Sequence, residues 1–245
     1  MITQTYELRK CSLDEKYWLD SYCYIVHPHL GKTRVSTTPI QNHLLGMFDK
    51  FKNIVIAKAR QTRMSSTAAL HVLWLTLFKS DIRVIMVSPK PEMGKYLLEK
   101  VRYAYKNLPD WMQIPLVTDN RWEMKFINGS RIKCITRASD LCSEHAHVFV
   151  VDEAAYVDKL DEILLDIRRA NHNAKIIMYS TVRTDGDTFA CIYKLAEKGL
   201  NEYVAVRVTW RDNPEFTYDR YKRHAELIGE EHTRTELDAK FTDEE

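Results

Sequence analysis

Short runs of apolar, β-branched residues alternate along the chain with longer segments of helical periodicity. The runs lie at positions 53–57, 82–88, 148–151, 175–179 and 203–208. Near-continuous apolarity within the first and third runs is typical of strands that are buried on both faces, as in parallel sheets. The alternation therefore predicts an α/β fold with a doubly wound sheet, in which crossover helices join parallel strands.

Helices are predicted between these strands from apolar spacing and from helix-breaking residues. Pro91 suits a first helical turn, apolar residues then recur three or four positions apart, and Pro109 ends the segment. Gly229 closes the last predicted helix. The predicted helices cover 91–108, 158–170, 188–198 and 218–228.

One antiparallel hairpin is also predicted. Segments 122–127 and 131–136 flank Asn128-Gly129, a dipeptide that favours a tight turn between antiparallel strands. We expect this hairpin to be inserted in the parallel sheet or added to it.

Composition excludes some classes of protein and leaves others open. The chain has 245 residues, 45% hydrophobic and 29% charged, as an ordinary globular protein has. No apolar run approaches the roughly 20 residues that a membrane span needs, so no membrane partner is expected. A net charge of +2 does not by itself indicate nucleic acid. Five cysteines without a C-x-x-C motif suit reduced thiols in a cytosolic compartment.

A strand, a basic loop and a helix follow one another directly after position 52, which is the context that a phosphate-binding loop requires. Against the motif G-x-x-x-x-G-K-[ST], Lys58 and Arg63 take the two glycine positions, Met64 takes the lysine and Ser65 takes the hydroxyl. Only Ser65 matches. The candidate ATP-binding loop consists of Lys58, Ala59, Arg60, Gln61, Thr62, Arg63, Met64, Ser65 and Ser66.

Two interpretations of this loop stay open from the segment alone. It can be a plain basic turn whose Ser65 or Ser66 caps the next helix. It can also bind phosphates, because Lys58, Arg60 and Arg63 offer cations and Ser65 offers a hydroxyl for Mg²⁺. A side chain at Arg63 restricts how closely the backbone approaches a phosphate.

Two further strands end in residues that suit the same chemistry. Asp152 and Glu153 follow four apolar residues, so Asp152 is a candidate Mg²⁺ ligand and Glu153 a candidate base for the attacking water. An acidic strand-to-helix turn, with Asp152 as a cap, is the alternative. Ser180 and Thr181 end another strand, which resembles nucleic-acid motors of the RecA-like class, where a Ser or Thr at this place couples hydrolysis to movement. The order of the three segments favours a nucleotide site.

These motifs, in this order, resemble the ATPase domain of the large terminase subunits of tailed bacteriophages, which pump DNA into empty capsids. The resemblance covers nearly the whole chain. It implies a RecA/ASCE-type P-loop NTPase, with a mostly parallel central sheet flanked by helices and an added antiparallel hairpin. The family often has an Arg-Gly shortly before the Asp-Glu strand, which this sequence lacks, so the resemblance does not imply a contact there.

The resemblance also implies roles for individual residues. The segment that ends at Gln41 resembles the adenine-reading segment of the family. The sequence from Lys58 to Gln61 resembles the family's K-[SA]-R-Q opening, in which the lysine moves to the front of the loop. Lys58 then replaces the lysine missing at Met64, and Arg60 acts as a catalytic arginine on the γ-phosphate. The implied cofactors are ATP and Mg²⁺.

Domain division and partners are likewise implied by the resemblance. Residues 1–52 form a helical, adenine-binding segment packed on the core, 53–210 the ATPase core, and 211–245 a helical segment that leads to a nuclease domain not present in this chain. Double-stranded DNA, a portal protein, a small terminase subunit and further copies in a ring are the expected partners, with a monomer expected in isolation. The expected location is the host cell cytoplasm.

Two other functions are compatible with the same motifs. One is a catalytically impaired P-loop scaffold for DNA binding or assembly, which the residues at Arg63 and Met64 favour. The other is a fragment of a superfamily 2 helicase. Such a helicase needs a second RecA-like domain, for which 245 residues leave no room.

Overall fold

Ten strands carry the architecture of the protein, whose computed structural model describes residues 2–27, 30–141 and 144–241. In chain order the strands are β1 (Tyr24–His27), β2 (Gly31–Arg34), β3 (Asn53–Lys58), β4 (Arg83–Val87), β5 (Leu116–Asp119), β6 (Glu123–Phe126), β7 (Arg131–Ile135), β8 (Val148–Asp152), β9 (Lys175–Ser180) and β10 (Val204–Val208). Strands β1 and β2 form a small antiparallel hairpin of their own.

The other eight strands form one sheet in the order β10-β3-β9-β8-β4-β7-β6-β5. The first six run parallel, and β6 and β5 continue the sheet antiparallel at one edge. Strand β9, although it is late in the chain, lies between β3 and β8. The predicted fold class, a mostly parallel sheet with an added hairpin, is therefore confirmed.

Nine helices surround the sheets in the described residues. They are α1 (Ile2–Leu13), α2 (Glu15–Tyr22), α3 (Pro39–Lys50), α4 (Met64–Phe78), α5 (Pro91–Lys106), α6 (Leu160–Ala170), α7 (Thr188–Glu197), α8 (Tyr218–Ile228) and α9 (Glu230–Leu237). The four predicted helices correspond to α5, α6, α7 and α8, whose bounds differ from the prediction by at most two residues at either end.

Alternation along the buried strands divides the core in two. In β3, Ile54 and Ile56 contribute to one apolar cluster, while Val55 and Ala57 contribute to the other. The first cluster also contains residues of α2, α3, α4 and α5, and the second contains residues of α6 and α7. Because successive side chains of a strand point to opposite faces, one strand supplies both layers. This explains the unbroken apolar runs in the sequence.

The hairpin turn has the geometry that its sequence predicts. Gly129 has a φ of +82°, and its N–H donates to the carbonyl of Phe126 at 3.1 Å. A glycine adopts this left-handed conformation without a steric penalty. Strand β7 pairs parallel with β4 on its other side, so the hairpin extends the parallel sheet at its edge.

The peripheral segments were predicted less completely. The sequence patterns do not individually predict helices α1, α2, α3 and α9 or strands β1, β2 and β5. The division at 1–52, 53–210 and 211–245 stays a prediction. None of the helices in the described ranges has the length and apolarity needed to cross a bilayer.

Candidate nucleotide site

Three neighbouring parallel strands bring the candidate residues to one edge of the sheet. Ala57 in β3 is in register with Ser180 in β9, and Tyr179 in β9 is in register with Asp152 in β8. Because the carboxyl ends of parallel strands lie at the same edge, the residues that follow these strands meet there. Segments about 95 and 120 positions apart in sequence are joined in this way.

Lys58 and Glu153 form the central ion pair of this edge. The Lys58 ammonium donates to Glu153 Oε1 at 2.6 Å, and the lysine is only 6% exposed. The other carboxylate oxygen, Oε2, accepts hydrogen bonds from the backbone N–H of Thr181 at 3.1 Å and from its hydroxyl at 3.3 Å. The hydroxyl of Ser180 donates to the same oxygen at 3.4 Å. The loop and the end of β9, which were predicted separately, therefore both bind the carboxylate that follows β8.

Opposing effects act on the pKa of Glu153. Burial by itself raises the pKa of this carboxyl, but the charge of Lys58 and the hydrogen bonds from Lys58 and Thr181 outweigh burial, and the net pKa is lowered. Glu153 is therefore ionised at neutral pH. An ionised carboxylate held by a lysine and a hydroxyl residue has the protonation state that a general base requires.

Asp152 lies beside this pair and contacts the loop. The hydroxyl of Ser65 donates to Asp152 Oδ1 at 3.0 Å, which joins the start of α4 to the end of β8. Burial and the negative charge of Glu153 raise the pKa of Asp152. Beneath them, Tyr179 is fully buried, and its hydroxyl lies near Ser65 and Asp152 without a hydrogen bond of good geometry to any residue in the described ranges.

The donor set at this point fits Mg²⁺. Ser65 and Asp152 supply only oxygen atoms, the ligand type that this cation prefers. A bound cation would also offset the charge repulsion between Asp152 and Glu153, which contributes to the raised pKa of Asp152. Ser65 and Asp152, predicted as metal ligands, are therefore adjacent and chemically suitable.

The loop adopts the backbone conformation that its motif normally leaves to glycine. Gln61 and Arg63 have φ values of +62° and +58°, in the left-handed region. For a residue with a side chain this costs about 1–2 kcal/mol each. Met64, which stands at the motif's lysine position, is 2% exposed and belongs to the core. Of these two residues only Arg63 stands at a glycine position of the motif, so there the loop adopts a left-handed conformation with a side chain, at an energetic cost.

Contacts with the C-terminal segment compensate for this strain. The guanidinium of Arg63 pairs with Glu215 at 2.5 Å. The side chain of Arg220 donates to Gln61 Oε1 at 2.6 Å, and the amide of Asn213 donates to the Gln61 carbonyl at 3.1 Å. The sequence contained no signal for these contacts, because each joins residues about 150 positions apart.

Arg60 is held on the outer side of the loop. Its guanidinium pairs with Glu236 at 2.9 Å, and its backbone N–H donates to the Glu236 carbonyl at 3.0 Å. Its side chain is 59% exposed and does not line the cleft described below. Ala59 and Thr62 shape the turn, since the Thr62 hydroxyl donates to the Ala59 carbonyl at 3.1 Å. A catalytic role for Arg60 stays a prediction.

Gln41 does not line the cleft described below, and its side chain is already hydrogen-bonded. Its Oε1 accepts from the backbone N–H of Thr38 at 3.0 Å, which completes a capping box at the start of α3. Its Nε2 donates to Thr67 Oγ1 in α4 at 2.8 Å. The structure thus shows Gln41 joining α3 to α4, and its adenine-reading role stays a prediction.

A cleft of about 330 Å³ opens over the loop and the two carboxylates. Its wall includes side chains from α5 that we did not assign to the site from the sequence. The lining residues from α5 are Met93, Tyr96, Leu97 and Lys100. The apolar periodicity of α5 was visible in the sequence, but which of its faces lies beside the loop depends on how α5 packs against α4.

Solved structures share this architecture. The large terminase of bacteriophage HK97 superposes with a TM-score of 0.71 at 13% identity, covering 94% of this chain and 55% of that chain. A mutant of the large terminase ATPase domain of Thermus phage P74-26 gives 0.66 at 14% identity, covering 84% and 94%. The large terminase of another thermophilic bacteriophage, in complex with ADP, gives 0.66 at 10%, covering 82% and 52%. This chain has the fold of a phage large terminase ATPase domain.

The terminase ATPase fold was predicted from the motifs and is confirmed by these superpositions. No model of a known protein family matches the sequence. The chain spans nearly the whole of the P74-26 ATPase domain but only about half the length of the HK97 terminase and of the ADP-bound terminase. At 10–14% identity the shared fold is all that the superpositions establish.

Proposed function

We propose that this chain is the ATPase motor of a viral large terminase, which hydrolyses ATP to move double-stranded DNA into a procapsid. The observation that carries the proposal is the shared carboxylate of Glu153. It joins the loop through Lys58 and the third strand end through Thr181. An ATPase that drives movement needs such a connection between its phosphate site, its base and a segment that responds to both.

ATP is the proposed substrate and Mg²⁺ the proposed cofactor. The phosphates would lie over residues 58–66 at the N-terminus of α4, where backbone N–H groups and the helix dipole favour anions. Arg63, the residue before α4, provides no side-chain cap, so this helix end is open to a ligand. The ADP complex of the thermophilic phage terminase supports a nucleotide ligand for this fold.

In this proposal the residues around the Glu153 carboxylate, and Arg60 outside it, have separate tasks in hydrolysis. Mg²⁺, held by Ser65 and Asp152, would neutralise charge on the phosphates. Lys58 would leave Glu153 and bind the phosphates, which frees the carboxylate to accept a proton from the attacking water. Ser180 and Thr181 hydrogen-bond Glu153 while it is paired with Lys58. They would therefore respond when Lys58 moves from Glu153 to the phosphates. Arg60 would have to leave Glu236 to reach the γ-phosphate.

ATP turnover of the Glu153→Gln variant tests the assignment. Loss of a general base costs about 10²–10⁴ in rate, whereas ATP binding should persist because Gln keeps the shape. Glu162→Gln, a change at an exposed carboxylate of α6, is the control and should leave turnover unaltered. Unchanged turnover in Glu153→Gln would exclude Glu153 as the base.

ATP binding by the unaltered chain separates the motor from its rivals. If Lys58→Ala no longer binds ATP, this supports a loop in which Lys58 replaces the lysine that is missing at Met64. A chain that binds no ATP at millimolar nucleotide would instead be the scaffold. Strand displacement on a forked duplex would indicate the helicase.

Partners and location follow from the same proposal. Portal protein, small terminase subunit and a homo-oligomeric ring in the host cell cytoplasm belong to a packaging motor. DNA contacts should be made largely to phosphates, because a motor must traverse every sequence. Affinity for DNA should therefore fall steeply with salt and vary little between sequences. Salt-insensitive, sequence-selective binding would contradict the motor assignment.

A further inference from the structure

Three cationic side chains line the cleft over the loop, and they differ in their partners. Lys58 is paired with Glu153, and Arg63 is paired with Glu215. Lys100, from the middle of α5, is the third. Within the described ranges its polar contacts are uncharged, so it is the lining cation whose charge no carboxylate neutralises.

The ammonium of Lys100 is aimed at the start of α4. It donates to the hydroxyl of Ser66 at 3.1 Å and lies 4.6 Å from the centre of the Tyr96 ring, one turn earlier on the same helix. Ser66 follows Ser65, the candidate metal ligand, in the first turn of α4. A hydroxyl and an aromatic face hold an ammonium in place without cancelling its charge. The Lys100 charge thus stays available to an anion in the cleft.

The position of Lys100 is set by close packing of α5 against the sheet. Gly94 is buried at the end of the first turn of this helix, and a Cβ there would lie 2.6 Å from Ser88 Oγ and 3.6 Å from Cys134 Cβ. Glycine therefore allows α5 to approach the ends of β4 and β7. Leu97, which follows one turn later, is buried in the same core and lines the cleft. The backbone beneath Lys100 is consequently well anchored.

The loop itself lacks a cation at the position where its motif places one. Met64 stands there and is buried, and Lys58, which would take its place, is paired with Glu153 until it moves to the phosphates. A nucleoside triphosphate carries several negative charges, and the two carboxylates of the cleft add to them. One uncompensated ammonium beside the open N-terminus of α4 meets this need.

We propose that Lys100 binds the phosphate chain of the nucleotide beside Lys58 and supplies, from α5, a positive charge that no carboxylate neutralises. This inference rests on the proposed nucleotide site. It assigns to that site a residue outside the loop, and its ligand is the di- or triphosphate part of the nucleotide, not the base or the sugar.

Nucleotide affinity of Lys100→Met tests this assignment, with Lys95→Met as the matched control. Lys95 is on the same helix, is 46% exposed, pairs with Glu99 and does not line the cleft. Titration calorimetry with ATP, ADP and AMP in Mg²⁺ should show ATP affinity reduced about 10- to 100-fold in Lys100→Met. The loss should be smaller for AMP, and Lys95→Met should bind all three as the unaltered chain does.

A charge-retaining variant guards against a simple folding defect. Lys100→Arg should recover at least half of the lost binding free energy, and pyrophosphate should compete with ATP less well in Lys100→Met than in Lys95→Met. Equal affinity of the two Met variants for ATP would overturn the assignment, as would an equal loss for ATP and AMP. If the unaltered chain binds no nucleotide, the proposed function fails first, so the two failures are distinct.

Discussion

Replacing Lys58 by Met would show how much the ion pair between Lys58 and Glu153 contributes to the free energy of unfolding. The change keeps most of the side-chain volume but leaves the Glu153 carboxylate, whose side chain is 19% exposed, without its cation. Breaking a buried pair typically costs about 3–5 kcal/mol. Glu153 keeps the Thr181 hydrogen bonds and some contact with water, so we expect a loss of about 2–3 kcal/mol in the free energy of unfolding at pH 7.

The pH dependence of this loss is specific to the pair. The pKa of Glu153 is lowered from 4.5 in the folded protein, so its pairing with Lys58 stabilises the fold above pH 4.5 and ceases to do so as the pH falls below it. In Lys58→Met, burial then raises the pKa of Glu153, and the penalty for its charge is relieved on protonation. The difference between the two proteins should be full at pH 7 and shrink towards pH 4.5 and below.

Urea unfolding between pH 7 and pH 4 is the measurement, with Lys159→Met as the control. Lys159 forms an exposed pair with Glu162, with side chains 62% and 53% exposed, so its loss should cost less than about 0.5 kcal/mol. In a Glu153→Gln background the cost of Lys58→Met should fall below about 1 kcal/mol. The reasoning would be refuted by equal costs at Lys58 and Lys159, or by a cost that neither pH nor Glu153→Gln reduces.

Three further changes address other contacts. Gln41→Ala removes a capping box and the bond to Thr67, and should lower stability by about 1–2 kcal/mol in urea unfolding; an altered preference for ATP over GTP would also support adenine reading. Gly94→Ala should lower the melting temperature, at a cost of about 1–3 kcal/mol, because its Cβ meets Ser88 Oγ; an unchanged melting temperature would contradict close packing there. Tyr179→Phe removes a buried hydroxyl that lacks a well-formed hydrogen bond, so calorimetry should find stability unchanged or raised by up to about 1 kcal/mol; a clear loss of stability would show that this hydroxyl bonds to Ser65 or Asp152.

Local sequence was sufficient to predict the buried strands and the polar residues at their carboxyl ends. Unbroken apolar runs predict buried strands because both faces of a parallel sheet are covered, as β3 and β8 are. The polar residues that directly follow these runs, Lys58 and Asp152 among them, had to lie at the carboxyl edge. Asn128-Gly129 predicted its turn for a similarly local reason, since only a few residues determine it.

Tertiary structure decided which of these side chains contact one another. Strand β9 is inserted between β3 and β8, and this non-local order brings Thr181 to Glu153 and thereby to Lys58. The support of the loop by Arg220 and the approach of Lys100 depend in the same way on packing between elements far apart in sequence. Hydrophobic periodicity determines which face of an element is buried, but the partner of that face is chosen by the packing of the whole chain.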